Sequence, residues 1–366
     1  MRERDTANLW RVKLERASAD SDKLQTLDYS ALPLPQKQAL AALDAFATKL
    51  SQHDKFSGVI TVKKGGETLY AKAWGLADRS KRKPVAVDTP FFIASQGKMF
   101  TAVSALQLIE KGQLSLDDPI GKYLTDYPNS EMASKVTVRD LLTHRGGTGE
   151  MGILEPQDAP NRAWVHSITD IIKLNGNRGP AFEPGTKIEY SNYGYILLGA
   201  LIEKVSGQSY YDYVETHIFR IAGMMHSSFP LREDLKGIAV SYTLVDGALR
   251  ASTDELPWRG TPAGGAVSTA DDMQRFVVAL KSGVLLSPAM LAEATKKQTP
   301  WYGYGFISTG HDDYPYWGHG GGANGMSLVL DHYPTTDTTF VCMSNRDPPI
   351  CDRLAFNYYF RSPREK

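Results

Sequence analysis

The sequence predicts an α/β (α+β) fold in which an antiparallel sheet is flanked by helices and accompanied by a mostly helical second domain. Two observations lead to this prediction. Runs rich in β-forming residues occur near the start of the chain, at 56–74, and recur after residue 303, whereas the long stretch between them mainly has helical spacing. A sheet assembled from both ends of the chain and interrupted by a helical insertion is the simplest architecture that accommodates both. A site is then expected in the cleft between the two parts.

The predicted domain boundaries follow from these runs. Residues 1–33 are polar and without clear periodicity, which is typical of an N-terminal arm. Residues 34–88 and 300–366 are assigned to the sheet-containing α/β domain, and residues 89–299 to the mostly helical domain. A chain of 366 residues is long enough for two domains, or for one domain with a large insertion.

Individual elements are predicted from the spacing of apolar residues. A helix is expected at 35–52 and an antiparallel hairpin at 56–62 and 68–74, followed by a long apolar helix that ends near Gly112. The middle of the chain predicts further helices at 136–144, 168–174, 196–205, 210–225, 273–280 and 288–296. Strands are then expected at 304–308, 316–319, 326–333 and 338–344, with a closing helix at 350–360.

Composition and charge exclude several classes of protein. Lys plus Arg and Asp plus Glu both number 41, so no net charge attracts the chain to nucleic acid or to an anionic membrane. No run approaches the roughly eighteen apolar residues that a membrane span requires. The expectation is a soluble protein, cytoplasmic as written, or periplasmic or secreted if a signal peptide has been removed. Localisation and oligomeric state stay open.

The chain has two cysteines, Cys342 and Cys351. Two cysteines exclude a disulfide framework and most cysteine-based zinc sites, and their spacing does not decide whether they pair. No phosphate-binding loop or metal-binding motif is found, so neither a cofactor nor a metal is expected.

The stretch Ser95-Gln96-Gly97-Lys98 carries the first chemical signal, because it stands at the head of the long apolar helix. Residues three apart share a helix face, so the Ser95 hydroxyl and the Lys98 amine can meet there. The helix N-terminus stabilises an oxyanion, and burial makes it easier for Lys98 to lose its proton and act as a base. A second match, Ser80-Lys81-Arg82-Lys83, lies among charges without apolar periodicity and is interpreted as a solvated turn.

Two further motifs follow in the chain, Tyr190-Ser191-Asn192 and His319-Gly320-Gly321. Together with Ser95 to Lys98 they resemble, in order, the S-x-x-K, Y-x-N and K-T-G motifs of the penicillin-recognising serine hydrolase superfamily. The resemblance is to the branch of class C β-lactamases, D-aminopeptidases and family VIII carboxylesterases. It covers roughly residues 35–360 and implies a β-lactamase-like fold. Another Y-x-N match at 127–129 is too close to Ser95 for the family order and is rejected.

The resemblance implies a role for each catalytic candidate. Ser95 would be acylated, and Tyr190 would work with Lys98 to move the Ser95 proton. Lys98 and His319 are the candidate cations that would hold the Tyr190 phenol as a phenolate. Asn192 would hold Lys98 or a substrate carbonyl through its amide. Whether Lys98 or Tyr190 is the base is left open.

The third motif departs from the β-lactamase pattern. His319 replaces a permanently charged lysine and Gly320 removes the hydroxyl of the usual threonine, so recognition of a substrate carboxylate is weakened. Gly320, Gly321 and Gly322 still allow an acyl group to lie against the strand. By resemblance, the Gly322 N–H and the Ser95 N–H would form the oxyanion hole.

Five other residues receive an interpretation. His144 ends a predicted helix beside glycines, which favours a structural hydrogen-bonding residue over a catalytic base. Core packing is favoured over an acyl-pocket role for Trp317, Tyr302 and Tyr304. Arg346 could restore a cation for a substrate carboxylate.

The predicted function is a cofactor-independent serine hydrolase that forms an acyl-enzyme through Ser95. A carboxylesterase acting on small or short-acyl esters is favoured, because the permanent cation for a carboxylate is missing. The alternatives are a β-lactamase or D-amino-acid peptidase or amidase, and a penicillin-binding sensor that is acylated without turnover. The expected partner is a small-molecule ester or amide, with no nucleic acid.

Overall fold

The structure is a computed structural model that describes residues 33–151 and 165–365. The strands of its main sheet come from both ends of the chain. They are β1 (Gly58–Lys64), β2 (Glu67–Trp74), β9 (Ile307–His311), β10 (Tyr314–Ala323), β11 (Met326–Tyr333) and β12 (Thr338–Ser344). Their order across the sheet is β2-β1-β12-β11-β10-β9, and every neighbouring pair is antiparallel. The first strand therefore pairs with the last, which confirms the predicted sheet.

The remaining strands form three short pairs. These are β3 (Leu76–Asp78) with β4 (Lys83–Pro84), β5 (Phe91–Phe92) with β8 (Val267–Ser268), and β6 (Tyr242–Val245) with β7 (Ala248–Ala251).

Most helices lie between the two groups of sheet strands. In chain order they are α1 (Gln36–Gln52), α2 (Gly97–Glu110), α3 (Ser130–Lys135), α4 (Val138–Leu142), α5 (Ile168–Asn175), α6 (Asn192–Ser206), α7 (Tyr210–Val214), α8 (Arg220–Ala222), α9 (Ala270–Lys281), α10 (Pro288–Thr295) and α11 (Ile350–Arg361). Helix α2 is buried almost all round, from its first residue to Leu108, as expected of a helix in the middle of a core. It contacts α6, which is also largely buried.

Both faces of the sheet are covered. All residues of β11 and β12 are buried, and each strand contains a short apolar run, Leu328 to Leu330 and Phe340 to Met343; both were predicted with the observed bounds. Helices α1 and α11 contribute to the apolar cluster on one face, and α2 and α6 belong to the larger cluster on the other. The turn that carries Ser95 also contacts β10 and β11, so it lies where the helices meet the sheet.

Several predicted elements differ in their bounds from the observed ones. The helix expected at 210–225 is divided into α7, a π-helical turn (Glu215–Phe219) and α8. The strand expected at 304–308 begins only at Ile307, because Gly305 turns the chain with a φ of +82° and a Cβ there would lie 2.1 Å from Cβ of Ala102. Strand β10 extends beyond the predicted 316–319 at both ends, and at its C-terminal end the glycines at 320–322 weakened the sequence signal.

Cys342 and Cys351, whose pairing the sequence left open, form a disulfide between β12 and the start of α11. Both residues are fully buried. The predicted N-terminal arm lies outside the described residues apart from Pro33, and the domain boundaries at 88/89 and 299/300 stay predictions.

No helix within residues 33–151 or 165–365 combines the length and the apolar character needed to cross a bilayer.

Candidate active site

Ser95 lies in a 3-10 turn, Ala94–Gln96, immediately before α2. The turn is held in an uncommon conformation, because Ala94 has a φ of +44°. The loop before β8 contacts it closely, and the N–H of Gly265 donates to the Ala94 carbonyl at 3.2 Å. A Cβ on Gly264 would lie 2.5 Å from that same carbonyl oxygen, and Gly264 has a φ of +151°. Only glycine therefore allows this loop to support the Ser95 turn so closely.

Lys98 is completely buried beneath Ser95. Its Nζ lies 3.2 Å from Oγ of Ser95, 2.7 Å from Oδ1 of Asn192 and 2.6 Å from the carbonyl oxygen of Ala263. Burial lowers the pKa of Lys98 to about 7, while the negative charge of Glu150 acts in the opposite direction. A neutral amine that donates its two N–H groups to Asn192 and Ala263 directs its lone pair towards the Ser95 hydroxyl.

Tyr190 contacts both members of this pair. Its side chain is hydrogen-bonded to Ser95, and the centroid of its ring lies 4.7 Å from Nζ of Lys98. Burial raises the pKa of Tyr190, an effect that the hydrogen bond with Ser95 only partly opposes. The hydroxyl is therefore a neutral phenol. This contradicts the expectation that neighbouring cations hold Tyr190 as a phenolate.

The start of α6 determines where Asn192 points. Ser191 caps this helix, since its Oγ accepts from the N–H of Gly194 at 3.0 Å. Asn192 is the first helical residue, with Oδ1 towards Lys98 and Nδ2 donating to the Glu150 carboxylate at 3.1 Å. Glu150 is exposed, so a negative charge lies at the solvent side of the site.

The third motif reaches the site through strand β10. The side-chain amide of Gln96 donates to the carbonyl oxygen of His319 at 3.1 Å, which connects the Ser95 turn to the strand. A Cβ on Gly321 would lie 2.6 Å from the carbonyl oxygen of Ile93, so β10 approaches the turn as closely as glycine permits. Gly320 and Gly322 flank this contact in the same strand, and Gly322 is exposed.

His319 is buried and uncharged. Its Nδ1 lies 2.5 Å from the carbonyl oxygen of Gly320, which can only accept, so Nδ1 carries the proton. Its Nε2 then accepts from the hydroxyl of Tyr302 at 2.9 Å. Burial lowers the pKa of His319 to about 3, and the nearby Lys98 contributes to this shift. The expectation that His319 supplies a positive charge is therefore wrong, because the protein interior disfavours the imidazolium.

The other interpreted residues have mainly structural contacts. Tyr302 and Tyr304 are fully buried and Trp317 nearly so, in agreement with core packing. The guanidinium of Arg346 is buried and hydrogen-bonded to the carboxylate of Asp54. Arg346 is thus already paired with an acidic group, which weakens the case for it as a ligand of a substrate carboxylate.

Two contributors to the site were not predicted from the sequence, namely the carbonyl of Ala263 and the carboxylate of Glu150. His144, interpreted from the sequence as a structural hydrogen-bonding residue, accepts from the Ser191 N–H and so contacts the Tyr190 segment. The one available signal was the Gly264-Gly265 pair, which marks a close approach of the backbone to another segment. Within the part of the chain that the structure describes, no group of three or more His, Cys, Asp or Glu side chains could hold a metal ion.

Comparison with known proteins assigns this chain to a family. The family profile described as Beta-lactamase matches residues 43–359. Esterase EstB of Burkholderia gladioli is 28% identical over 331 residues, which cover 79% of this chain and 84% of the esterase.

Two solved structures have the same fold. The penicillin binding protein from Bacillus halodurans superposes with a TM-score of 0.76 at 29% identity, covering 85% of this chain and 97% of that chain. The D-amino acid amidase from Ochrobactrum anthropi SV3, complexed with L-phenylalanine amide, has a TM-score of 0.71 at 26% identity, with 84% and 91% covered. The chain therefore belongs to the beta-lactamase family, within the penicillin-recognising serine hydrolase superfamily.

Proposed function

We propose that this chain is a serine hydrolase that forms an acyl-enzyme through Ser95 and acts mainly on small or short-acyl carboxylic esters. The observation that carries the proposal is the environment of Lys98. A fully buried amine whose pKa is about 7 lies 3.2 Å from the Ser95 hydroxyl, and two oxygen acceptors orient it. Such an amine is an effective general base near neutral pH.

In the acylation step, Oγ of Ser95 attacks the ester carbonyl carbon while its proton passes to the neutral amine of Lys98. The negative charge that develops on the carbonyl oxygen is stabilised by backbone N–H groups of Ser95 and Gly322. When the bond to the alcohol breaks, the leaving oxygen takes the proton from Lys98, and the hydroxyl of Tyr190 relays it. Ser95 then carries the acyl group, and Lys98 is neutral again.

Deacylation uses the same groups in reverse roles. A water molecule attacks the acyl carbon and gives a proton to Lys98, and the carbon–oxygen bond to Ser95 breaks. Oγ of Ser95 regains that proton, which releases the carboxylic acid and restores the free enzyme. Lys98 is assigned as the base because its pKa is lowered towards neutrality, whereas that of Tyr190 is raised away from it.

The charges around the site favour esters over substrates with a free carboxylate. His319 is neutral where the β-lactamase pattern has a permanently charged lysine, and Arg346 is paired with Asp54. The exposed carboxylate of Glu150 adds a negative charge near Asn192, which repels an anionic substrate. The similarity to an esterase supports the same preference.

Amide hydrolysis is the second candidate, and the similarity to a D-amino acid amidase favours it. The catalytic groups proposed for esters would serve an amide equally well. The difference lies in the leaving group, since an amine must be protonated before it can depart.

A substrate panel tests the proposal. The panel comprises p-nitrophenyl acetate, p-nitrophenyl butyrate, D-alanine p-nitroanilide and nitrocefin, with intact-mass detection of the adduct on Ser95. We expect the two esters to have the highest kcat/KM and Ser95→Ala to lower it by roughly a thousandfold or more. Ser80→Ala is the matched control, because Ser80 begins the exposed second S-x-x-K match and should leave activity unchanged.

Each other outcome points to a different function. Faster turnover of D-alanine p-nitroanilide or nitrocefin than of either ester would replace the esterase assignment by an amidase or a β-lactamase. A stable adduct without turnover would indicate a penicillin-binding sensor. Undiminished hydrolysis by Ser95→Ala would refute Ser95 as the nucleophile.

A further inference from the structure

His144 lies directly behind the Tyr190 ring. It follows α4 with a φ of +58°, a conformation that is uncommon outside glycine but that histidine adopts more often than most residues, and only 2% of its surface is exposed. Its imidazole centroid is 4.3 Å from that of Tyr190, 4.6 Å from that of Tyr302 and 5.1 Å from that of Tyr195. The His144 imidazole therefore packs directly against the Tyr190 ring.

His144 also binds the backbone on both sides of Tyr190. Its carbonyl oxygen accepts from the N–H of Glu189 at 2.9 Å, and its Nδ1 accepts from the N–H of Ser191 at 3.1 Å. One residue thus holds the positions immediately before and after Tyr190.

The bond from Ser191 defines the state of the ring. A nitrogen that accepts from a backbone N–H carries no proton, so the neutral imidazole of His144 has its proton on Nε2. Burial and the neighbouring Lys98 and His319 lower the pKa of His144 well below its usual value. The other titratable groups that face it, the phenols of Tyr190, Tyr195 and Tyr302, are uncharged near neutral pH because burial raises the pKa of each. Protonation of Nδ1 would convert the acceptor into a donor and break the bond to Ser191.

We propose that His144 is a positioning residue for Tyr190, and that its unprotonated Nδ1 holds the Tyr190 segment so that the phenol meets the Ser95–Lys98 pair. The proposal rests on the proposed function, since Ser95 must be the nucleophile for this placement to affect the rate. His144 has no hydrogen bond to Ser95 or Lys98 among the contacts that the structure describes. It therefore acts through Tyr190 and not as a base.

Two variants distinguish the role of the Nδ1 acceptor of His144 from the role of its aromatic ring. His144→Asn keeps an acceptor at the position of Nδ1 and tolerates the positive φ. His144→Phe keeps an aromatic ring against Tyr190 but removes the acceptor for the Ser191 N–H. With p-nitrophenyl acetate we expect His144→Phe to lower kcat by about 100-fold with little change in KM, since misplacement of one group by about 1 Å has that effect. For His144→Asn we expect kcat to fall by less than about 10-fold.

Circular dichroism and thermal unfolding establish that each variant is folded. The pH at which kcat/KM rises should be the same in wild type and both variants, because Lys98 and not His144 titrates there. Equal losses of kcat in the two variants, or wild-type kcat in folded His144→Phe, would overturn the proposal. A shift of the acid limb of the kcat/KM profile in either variant would instead indicate that His144 itself titrates as a base.

Nitrogen-15 NMR of histidine-labelled wild type provides a test that does not depend on variants or turnover. We expect the His144 ring to have Nδ1 unprotonated and Nε2 protonated at neutral pH, the opposite of His319. The reverse tautomer of His144 would contradict the bond to Ser191. If the wild type hydrolyses no substrate but His144 has the expected tautomer, the proposed function fails while the bond on which this inference rests is retained.

Discussion

The side-chain oxygen of Asn192 accepts a 2.7 Å hydrogen bond from Nζ of Lys98, although the two residues are 94 positions apart in the chain. This contact joins the first turn of α6 to the first turn of α2. Because the Lys98 amine is fully buried and its pKa is about 7, its protonation state should change when Asn192 is substituted. The rate of hydrolysis should therefore follow the electrostatics around Lys98.

Asn192→Asp should raise the pKa of Lys98. A carboxylate in place of the amide stabilises the ammonium, by roughly one to three pKa units for a close opposite charge. We expect the acid limb of the kcat/KM profile for p-nitrophenyl acetate to move to higher pH and activity at pH 7 to fall at least about tenfold. Asn192→Ala is the control, since it removes the amide without adding charge. An acid limb that stays near pH 7 in Asn192→Asp would contradict the assignment of Lys98 as the titrating base.

Glu150→Gln should shift the same limb in the other direction. The Glu150 carboxylate raises the pKa of Lys98, so neutralising it favours the free amine. The glutamine can still accept from Asn192. We expect a shift to lower pH of less than about one unit, because Glu150 is exposed and screened by salt. Glu183→Gln, another exposed acidic residue, should leave the profile unchanged, and the shift in Glu150→Gln should shrink at high ionic strength.

Lys98 should make stability depend on pH. The unfolded chain keeps this lysine protonated up to about pH 10, whereas the folded protein releases the proton near pH 7. Between these values the unfolded state binds more protons, so stability rises with pH across that window, by up to roughly 5 kcal/mol in the free energy of unfolding. Denaturation of Lys98→Met from pH 7 to pH 10 should show a flatter dependence than wild type. Replacement of the exposed Lys37 by methionine should preserve the wild-type slope.

Gly321→Ala should separate β10 from the Ser95 turn. The added Cβ would lie 2.6 Å from the carbonyl oxygen of Ile93, a backbone atom that has little room to move. We expect the free energy of unfolding to fall by about 1–3 kcal/mol and kcat/KM to fall with it. Gly320→Ala is the matched control, because its Cβ would meet nothing closer than the Leu328 carbonyl oxygen at 3.8 Å. Equal destabilisation by the two variants would show that the contact with Ile93 is not the cause.

The sequence alone predicted the features that depend on local periodicity. Strands β11 and β12 were predicted with their observed bounds, because each contains a short apolar run typical of a strand buried on both faces. The meeting of Ser95 and Lys98 followed from their spacing of three residues at the start of a helix. The order of the three motifs predicted the family, since that order is itself a property of the sequence.

Tertiary structure decided which groups are charged and where the partners of Lys98 come from. The neutrality of His319 results from burial and from the nearby Lys98, neither of which its sequence neighbours reveal. The Ala263 carbonyl accepts from Lys98 although the two residues are 165 positions apart in the chain. His144 and Ser191, which are joined by a hydrogen bond, are 47 positions apart. Protonation depends on burial and on hydrogen bonds between distant segments, so it is determined only when the chain has folded.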